Sequence, residues 1–204
     1  MSKFKKIICS VTAVIGLITG GVSVSSSDYT APVGAVKIDG EVVAVLRVSP
    51  RALELIGNAE GCRRDPYRCP SGLITNGIGN THDVIQSPVT DQQIAKDWVK
   101  NIAISEQCLF DIKSDLELSQ GQIDAFTSFI FNTGCTRFRK NGNGSDTQIS
   151  TLIKAGHYEL ACYQLNRWVY GGGVKLPGLI TRRDKETQIC LLNNDDLVAP
   201  YGGK

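Results

Sequence analysis

The segment from Glu60 to Gly79 constrains the fold of this chain most, because it interrupts a sequence that otherwise has a helical pattern. It is rich in Gly, Pro and Asn with short apolar runs, which is typical of a small irregular β-hairpin. The chain shows no alternation of strand and helix patterns that would indicate a parallel sheet. We therefore expect an α+β domain, with a small sheet lobe beside a mostly helical lobe and a cleft between them.

Helix boundaries are marked by capping residues. Ser49 and Pro50 open a helix that Gly61 ends, so Glu60 lies at the helix C-terminus. Capping boxes followed by apolar residues at helical spacing predict two helices, one beginning at Thr90 and one at Ser119. Three further helices are predicted over 147–155, 157–168 and 179–192.

The N-terminal segment has the order of an export signal. Lysines within the first six residues precede an uncharged stretch over 7–24, about as long as a spanning helix but diluted by Ser, Thr and Gly. It is either a signal peptide cleaved after Ser26 or an uncleaved anchor that can later leave the bilayer. Cys9 favours the uncleaved anchor, because cleavage would discard this thiol.

These patterns divide the chain into three parts. We predict an N-terminal signal-anchor over 1–27, a linker over 28–49 and a catalytic domain over 50–204. Within the linker, residues 35–48 alternate loosely around Asp39 and Gly40, which fits either a small hairpin or more linker.

The cysteine count indicates an oxidising compartment. Seven cysteines in 204 residues favour a disulfide framework. Because the count is odd, at least one thiol stays unpaired, pairs between chains or changes partner; a structural framework with one spare thiol is the simpler alternative. A formal net charge of +2 is too small to indicate nucleic acid.

The hairpin segment places an acid, a thiol and a hydroxyl close together in sequence. The negative end of the helix disfavours an ionised Glu60, which suits a general acid. Cys69 could act as base or nucleophile if neighbouring arginines favour its thiolate, and Thr75 could position a water. By spacing alone, a structural disulfide among ordinary surface charges explains these residues better.

A resemblance to a known family favours the catalytic role of these residues over the structural one. Glu60-x8-Cys69-x5-Thr75, followed by Asn76-Gly77-Ile78-Gly79, resembles the E-x8-D/C-x5-T signature of the phage lysozymes, glycoside hydrolase family 24. The resemblance covers about residues 50–192, through the segments 131–134, 167–172 and 178–186. The cysteine at the second catalytic position is similar to a subgroup of coliphage type, the secreted endolysins with a signal-arrest-release (SAR) anchor.

The resemblance implies a lysozyme-like fold and hydrolysis of the β-1,4 bond between N-acetylmuramic acid and N-acetylglucosamine in peptidoglycan. It implies Glu60 as acid, Cys69 as base or nucleophile and Thr75 as the residue that positions water. Asn132 and Arg183 are weaker candidates for substrate binding or cleft support. Asn80 departs from the pattern, because many relatives have His there.

The resemblance also implies a thiol switch. A Cys62–Cys69 disulfide would hold the enzyme inactive at the host inner membrane, facing the periplasm. After release, Cys9 would attack Cys62 and free Cys69 in the periplasm. The other four cysteines pair most simply as Cys108–Cys135 and Cys162–Cys190, one of three possible connectivities. We expect a monomer without a cofactor or metal.

Two rival functions remain open. A cysteine-dependent peptidase or amidase would need a histidine beside the thiol, and His82 and His157 are the only two in the chain. A membrane-tethered wall-binding module would keep the fold without activity. Release of new reducing sugar ends would indicate the glycosidase, and release of new free amines would indicate the peptidase or amidase. Release of neither would indicate the binding module.

Overall fold

A computed structural model of the chain describes residues 6–21, 28–69 and 72–192. The lysines of the predicted export signal lie mostly outside these ranges, and so does the possible cleavage site after Ser26. The described residues form an α+β fold with three two-stranded antiparallel sheets and eight α-helices.

The first lobe contains the small sheets that follow the N-terminal segment. Its elements are α1 (Val11–Ile18), β1 (Gly34–Ile38), β2 (Glu41–Leu46), α2 (Pro50–Glu60), β3 (Arg63–Arg68) and β4 (Ile74–Gly77). A 3₁₀ turn at Asp28–Thr30 precedes β1. The β1–β2 hairpin turns at Asp39 and Gly40, both with left-handed backbone, so residues 35–48 form the hairpin rather than further linker.

The second lobe is helical. Its elements are α4 (Gln120–Thr133), α5 (Cys135–Arg139), α6 (Gln148–Lys154), α7 (Tyr158–Gln164), β5 (Tyr170–Gly171), β6 (Val174–Lys175) and α8 (Pro177–Cys190). The predicted helix over 157–168 is α7 followed by a 3₁₀ turn at Leu165–Arg167. The short helix α5 and the β5–β6 hairpin were not predicted from the sequence.

Helix α3 (Asp91–Phe110) joins the two lobes. Its first half, with Ile94, Trp98 and Ile102, packs in a core with α1, α2 and the β1–β2 hairpin. Its last turn contributes Cys108 and Leu109 to a second core under α4, α6, α7 and α8. A helix of this length spans about 30 Å, so one element supports both cores and separates them.

Capping signals are confirmed at several helix ends. Ser49 is the N-cap of α2 and Gly61 its C-cap. Ser119 and Gln122 form a complete capping box at α4, and Thr90 accepts a bond from the backbone of Gln93 at α3.

Helix α1 lies within the predicted signal-anchor and packs against the first lobe. Val14 and Ile18 are buried, and the helix contacts α2 and α3. Across the described ranges, α1 and the other helices are too short or too polar to cross a bilayer. The division into anchor, linker and catalytic domain stays a prediction.

Candidate active site

Glu60 ends α2, and an arginine from the far end of the chain holds its carboxylate. Arg182 of α8 donates from Nη1 to Glu60 Oε1 over 2.6 Å, with side-chain exposures of 5% and 22% respectively. The guanidinium brings a positive charge to the negative end of the α2 dipole. Sequence reasoning missed this contact, although Arg182 stands directly beside the predicted Arg183.

A buried ionic cluster fixes Arg182 in turn. Its Nε donates to Glu186 Oε1 at 3.1 Å and its Nη2 donates to the Ser128 carbonyl at 3.1 Å. Burial raises the pKa of Glu186, and the charges of Arg183 and Arg182 oppose that rise. Glu186 also accepts a 2.6 Å hydrogen bond from the Ser128 hydroxyl. A buried and hydrogen-bonded ion pair orients a side chain more firmly than a solvated pair does.

Gly79 brings the turn after β4 against the same carboxylate. Its φ of +67° lies in the left-handed region, and a Cβ there would stand 3.2 Å from Glu60 Oε2 and 3.2 Å from Phe131 Cε1. Both the backbone conformation and the space therefore require glycine. The carboxylate is thus held between Arg182 on one oxygen and the turn on the other.

The β3–β4 hairpin positions the other two predicted residues. Tyr67 pairs with Thr75, whose hydroxyl is buried and donates to the Leu73 carbonyl at 3.3 Å. Cys69 follows β3, and its backbone N–H donates to the same carbonyl at 2.9 Å. Thr75 and Cys69 therefore lie at the same end of the hairpin.

The electrostatics of Tyr67 on β3 depend on several neighbouring groups. Burial raises the pKa of Tyr67, and the charges of Glu60 and Cys69 raise it further. The Arg63 guanidinium lies 4.6 Å from the centre of the Tyr67 ring and lowers this pKa.

Asn80 organises the turn where many relatives have His. Its Nδ2 donates to Asn76 Oδ1 at 3.0 Å and to the His82 carbonyl at 2.9 Å. Its Oδ1 accepts from the His82 backbone at 3.2 Å and from Asn101 Nδ2 at 3.1 Å. One buried amide therefore joins the hairpin to α3, and it uses both its donor and its acceptor groups.

The two weaker candidates have different positions. Asn132 is exposed at the end of α4, and its Oδ1 accepts a 2.6 Å bond from Arg183 Nη2. Arg183 has 0% exposure, lies 4.7 Å from the centre of the Phe129 ring and pairs with Glu186, and burial lowers its pKa to about 10. A side chain with no exposed surface is placed to support Asn132, and the role of Arg183 in substrate binding or cleft support stays a prediction.

The cysteines form three disulfides and one thiol. Cys9 is joined to Cys62, Cys108 to Cys135 and Cys162 to Cys190, while Cys69 is a half-buried thiol.

Residues 7–9 also pair with the start of β3. The Cys9 N–H donates to the Cys62 carbonyl at 3.3 Å, and the Arg64 N–H donates to the Ile7 carbonyl at 2.8 Å. The Ile7 N–H donates to Asp65 Oδ1 at 2.6 Å. The N-terminal segment is therefore attached to the hairpin by backbone pairing as well as by sulfur.

Two depressions are found around the proposed site. The larger, about 880 Å³, runs between α2 and α8 and includes Glu60, Asn132 and Arg182 in its walls. The smaller, about 220 Å³, lies beyond the turn and is lined by Gly79, His82 and Phe131 among others. The described lining of each contains neither Cys69 nor Thr75.

Comparisons with known proteins agree with this geometry. The profile of the phage lysozyme family matches residues 57–186. The SAR-endolysin of Escherichia phage P1 is 45% identical over 152 residues, which are 72% of this chain and 82% of that protein.

Two solved structures of the P1 phage endolysin Lyz are similar to different extents. The active form has a TM-score of 0.72 at 38% identity and covers 91% of this chain and 95% of its own. The secreted inactive form has a TM-score of 0.52 at 43% identity and covers 71% of this chain and 96% of its own.

Proposed function

Because this chain belongs to the phage lysozyme family, we propose that it is an endolysin that cleaves peptidoglycan during host-cell lysis. The reaction is hydrolysis of the β-1,4 bond between N-acetylmuramic acid and N-acetylglucosamine. The observation that carries the proposal is the Glu60 carboxylate, held by Arg182 at 2.6 Å and facing the Gly79 turn. A fixed carboxyl beside a glycosidic bond can protonate the leaving oxygen.

The second group of the proposed mechanism is Cys69. Glycosidases need a base or nucleophile opposite the acid, and a thiolate can fill either role. Two observations support Cys69: it is a thiol, and it lies at the same end of the hairpin as Thr75. Thr75, on the neighbouring strand, is proposed to position the attacking water. Asn132, exposed and braced by Arg183, is proposed to contact the sugar chain.

We further propose that the thiol is controlled by disulfide exchange. The Cys9–Cys62 bond leaves Cys69 as a thiol, whereas a Cys62–Cys69 bond would consume the reactive sulfur. In the locked state the N-terminal segment, including α1, would lie in the host inner membrane and hold Cys9 away from the hairpin. The greater similarity to the active form of the P1 endolysin supports assigning this fold to the released, periplasmic state.

The test of the reaction is Glu60→Gln. The amide keeps the shape of the side chain but cannot donate the proton as the acid does, so glycan cleavage should fall by about 100-fold or more. Reducing ends released from purified peptidoglycan measure the activity, and the thermal unfolding midpoint verifies the fold. Retained cleavage would remove Glu60 from its role, and release of free amines in place of reducing ends would favour a peptidase or amidase.

A further inference from the structure

The start of strand β3 holds the N-terminal segment through a carboxylate. Asp65 Oδ1 accepts a 2.6 Å hydrogen bond from the Ile7 N–H, and Asp65 Oδ2 accepts from Arg63 Nε at 2.9 Å. The Asp65 side chain is only 3% exposed. Both carboxylate oxygens are therefore used, one by the N-terminal segment and one by the strand itself.

The Asp65 carboxylate takes the place of a backbone acceptor that is already engaged. In an antiparallel ladder, two residues that form a hydrogen-bonded pair exchange both of their N–H···O bonds. The Ile7 carbonyl accepts from the Arg64 N–H at 2.8 Å, but the Arg64 carbonyl accepts from the Val89 N–H at 3.1 Å. The Ile7 N–H donates to Asp65 instead, whose ionised oxygen is a stronger acceptor than a neutral carbonyl.

The strand itself provides the charge of this acceptor. Hydrogen bonding from Arg63 lowers the pKa of Asp65 to about 2 despite its burial, and the bond from Ile7 lowers it further. The Arg63 guanidinium also lies 4.6 Å from the centre of the Tyr67 ring. Because Arg63, Asp65 and Tyr67 all belong to β3, the acceptor is built without any side chain from the N-terminal segment.

Cys9 lies between two non-covalent attachments of the N-terminal segment. On one side is the contact of Ile7 with β3. On the other side Ser10 is the N-cap of α1, and Val14 of that helix is fully buried in the first core. Between them the Cys9 N–H donates to the Cys62 carbonyl at 3.3 Å. The position of the sulfur is therefore defined by contacts that do not involve it.

We propose that Asp65 and the Arg64 N–H form a docking site for the Ile7 backbone, which binds the released N-terminal segment independently of the disulfide. The inference rests on the proposed function, because it specifies how the exchange of disulfides is directed. An extended segment that adds to the edge of a strand is held mainly by main-chain hydrogen bonds. Here one of those bonds goes to a buried carboxylate.

Docking at Ile7 favours one product of the thiol exchange. The Cys9 thiolate attacks the Cys62 sulfur, the new bond forms as the bond from Cys62 to Cys69 breaks, and Cys69 leaves as a thiolate that takes up a proton. One disulfide replaces another, so the exchange consumes no oxidant or reductant. Because the docked segment raises the effective concentration of the Cys9 thiol at Cys62, the equilibrium shifts towards the state with a Cys69 thiol.

The experiment measures the ratio of Cys9–Cys62 to Cys62–Cys69 in the purified full-length protein. The protein is equilibrated in a glutathione redox buffer, its thiols are alkylated, and the disulfide-linked peptides are quantified by mass spectrometry. Asp65→Asn keeps the size of the side chain but removes its charge, and the ratio should fall about tenfold. Asp146→Asn is the matched control and should change the ratio less than about twofold, because Asp146 also has a pKa lowered to about 2 but pairs with lysines of the second lobe.

A second pair of variants tests the donor instead of the acceptor. Ile7→Pro removes the N–H that Asp65 accepts and leaves the hairpin sequence unchanged, so it decides the question if Asp65→Asn lowers the thermal unfolding midpoint. We expect the same fall of about tenfold. Ile8→Pro is the control, because Ile8 is 64% exposed and the backbone bonds beside it are made by Ile7 and Cys9. An unchanged ratio in Ile7→Pro would overturn the docking site.

Amide hydrogen exchange separates the docking site from the proposed disulfide switch. In a protein with Cys9→Ser and Cys69→Ser, which can form neither disulfide of the switch, the Ile7 amide should stay protected, and adding Asp65→Asn should speed its hydrogen exchange about tenfold. An unprotected Ile7 amide in the first protein would overturn a site that acts without the disulfide. A wild-type protein that protects Ile7 but never forms Cys62–Cys69 would support the docking site and overturn the proposed switch alone.

Discussion

The two apolar cores contain similar side chains but are closed in different ways. The second core is crossed by Cys108–Cys135 and Cys162–Cys190, with sequence separations of 27 and 28 between elements that already pack together. The first core depends on α1, which a single disulfide with a separation of 53 attaches to the hairpin. The same kind of covalent bond therefore acts as a staple within the second lobe and as a tether for the N-terminal segment in the first.

The disulfides of the two lobes should differ in whether they affect the stability or the activity of the protein. The staples belong to the second core, and neither shares a cysteine with the proposed site, so removing one should loosen the fold without changing the chemistry. The tether shares Cys62 with the proposed lock on Cys69, so removing it should change the chemistry first. Three variants test this difference, in decreasing order of expected effect.

Cys9→Ser should have the largest effect. Without the attacking thiol, Cys62 and Cys69 stay joined after release, and lytic activity should be lower by about 100-fold or more, because the base or nucleophile is absent. Release of reducing ends by the periplasmic protein measures this effect, and a mild reductant should restore activity. Full activity without reductant would show that Cys69 is not controlled by Cys9.

Cys162→Ala combined with Cys190→Ala should reduce stability and leave specific activity unchanged. Opening a loop of this length lowers the free energy of unfolding by about 3–4 kcal/mol in the chain-entropy account. Urea denaturation measures the loss, and activity is compared at a temperature where both proteins are folded. A folded variant with little activity would mean that this staple also shapes the cleft.

Gly57→Ala should have the smallest effect and act on α1. A Cβ at Gly57 would stand only 2.4 Å from Val11 Cγ1 and 3.1 Å from the Trp98 ring, so α1 could not keep its position on α2. Overpacking of this kind destabilises by about 1–3 kcal/mol. Hydrogen exchange should show reduced protection in α1 relative to α4.

The matched control for that substitution is Gly16→Ala within α1. A Cβ there meets nothing within 4 Å, and alanine favours the helix by about 0.8–1.0 kcal/mol. Protection of α1 should therefore rise slightly in the control. Equal protection in both variants would mean that Gly57 does not govern how closely α1 docks.

Local signals made much of the fold predictable. Ser49 and Pro50 begin α2 and Gly61 ends it, and Ser119 begins α4, because caps act through contacts within one turn. The short elements could not be predicted, because they lack such local signals. Helix α5 has five residues and β5 only two, too few for an apolar period to appear.

The site was predictable where it is continuous in sequence and not where it depends on packing. The hairpin that carries Cys69 and Thr75 follows Glu60 directly, so its composition could be read from the chain. Arg182 and Arg183 are adjacent on α8 and point about 100° apart, and only the packing of α8 against α2 decides which one reaches the acid. Glu186 does not resolve the choice, since it pairs with both.

The pairing of residues 7–9 with β3 has a consequence for the direction of thiol exchange. A thiolate that meets a disulfide can attack either sulfur, and here the two outcomes are opposite: attack at Cys62 liberates Cys69, whereas attack at Cys69 blocks it. In the present register Ile8 faces Arg63 and Cys9 lies beside Cys62, and a slip by one residue would turn Cys9 to the other face of the sheet. In the proposed exchange, backbone complementarity would supply the regioselectivity that sulfur chemistry lacks, and it would favour the isomer in which Cys69 is a thiol.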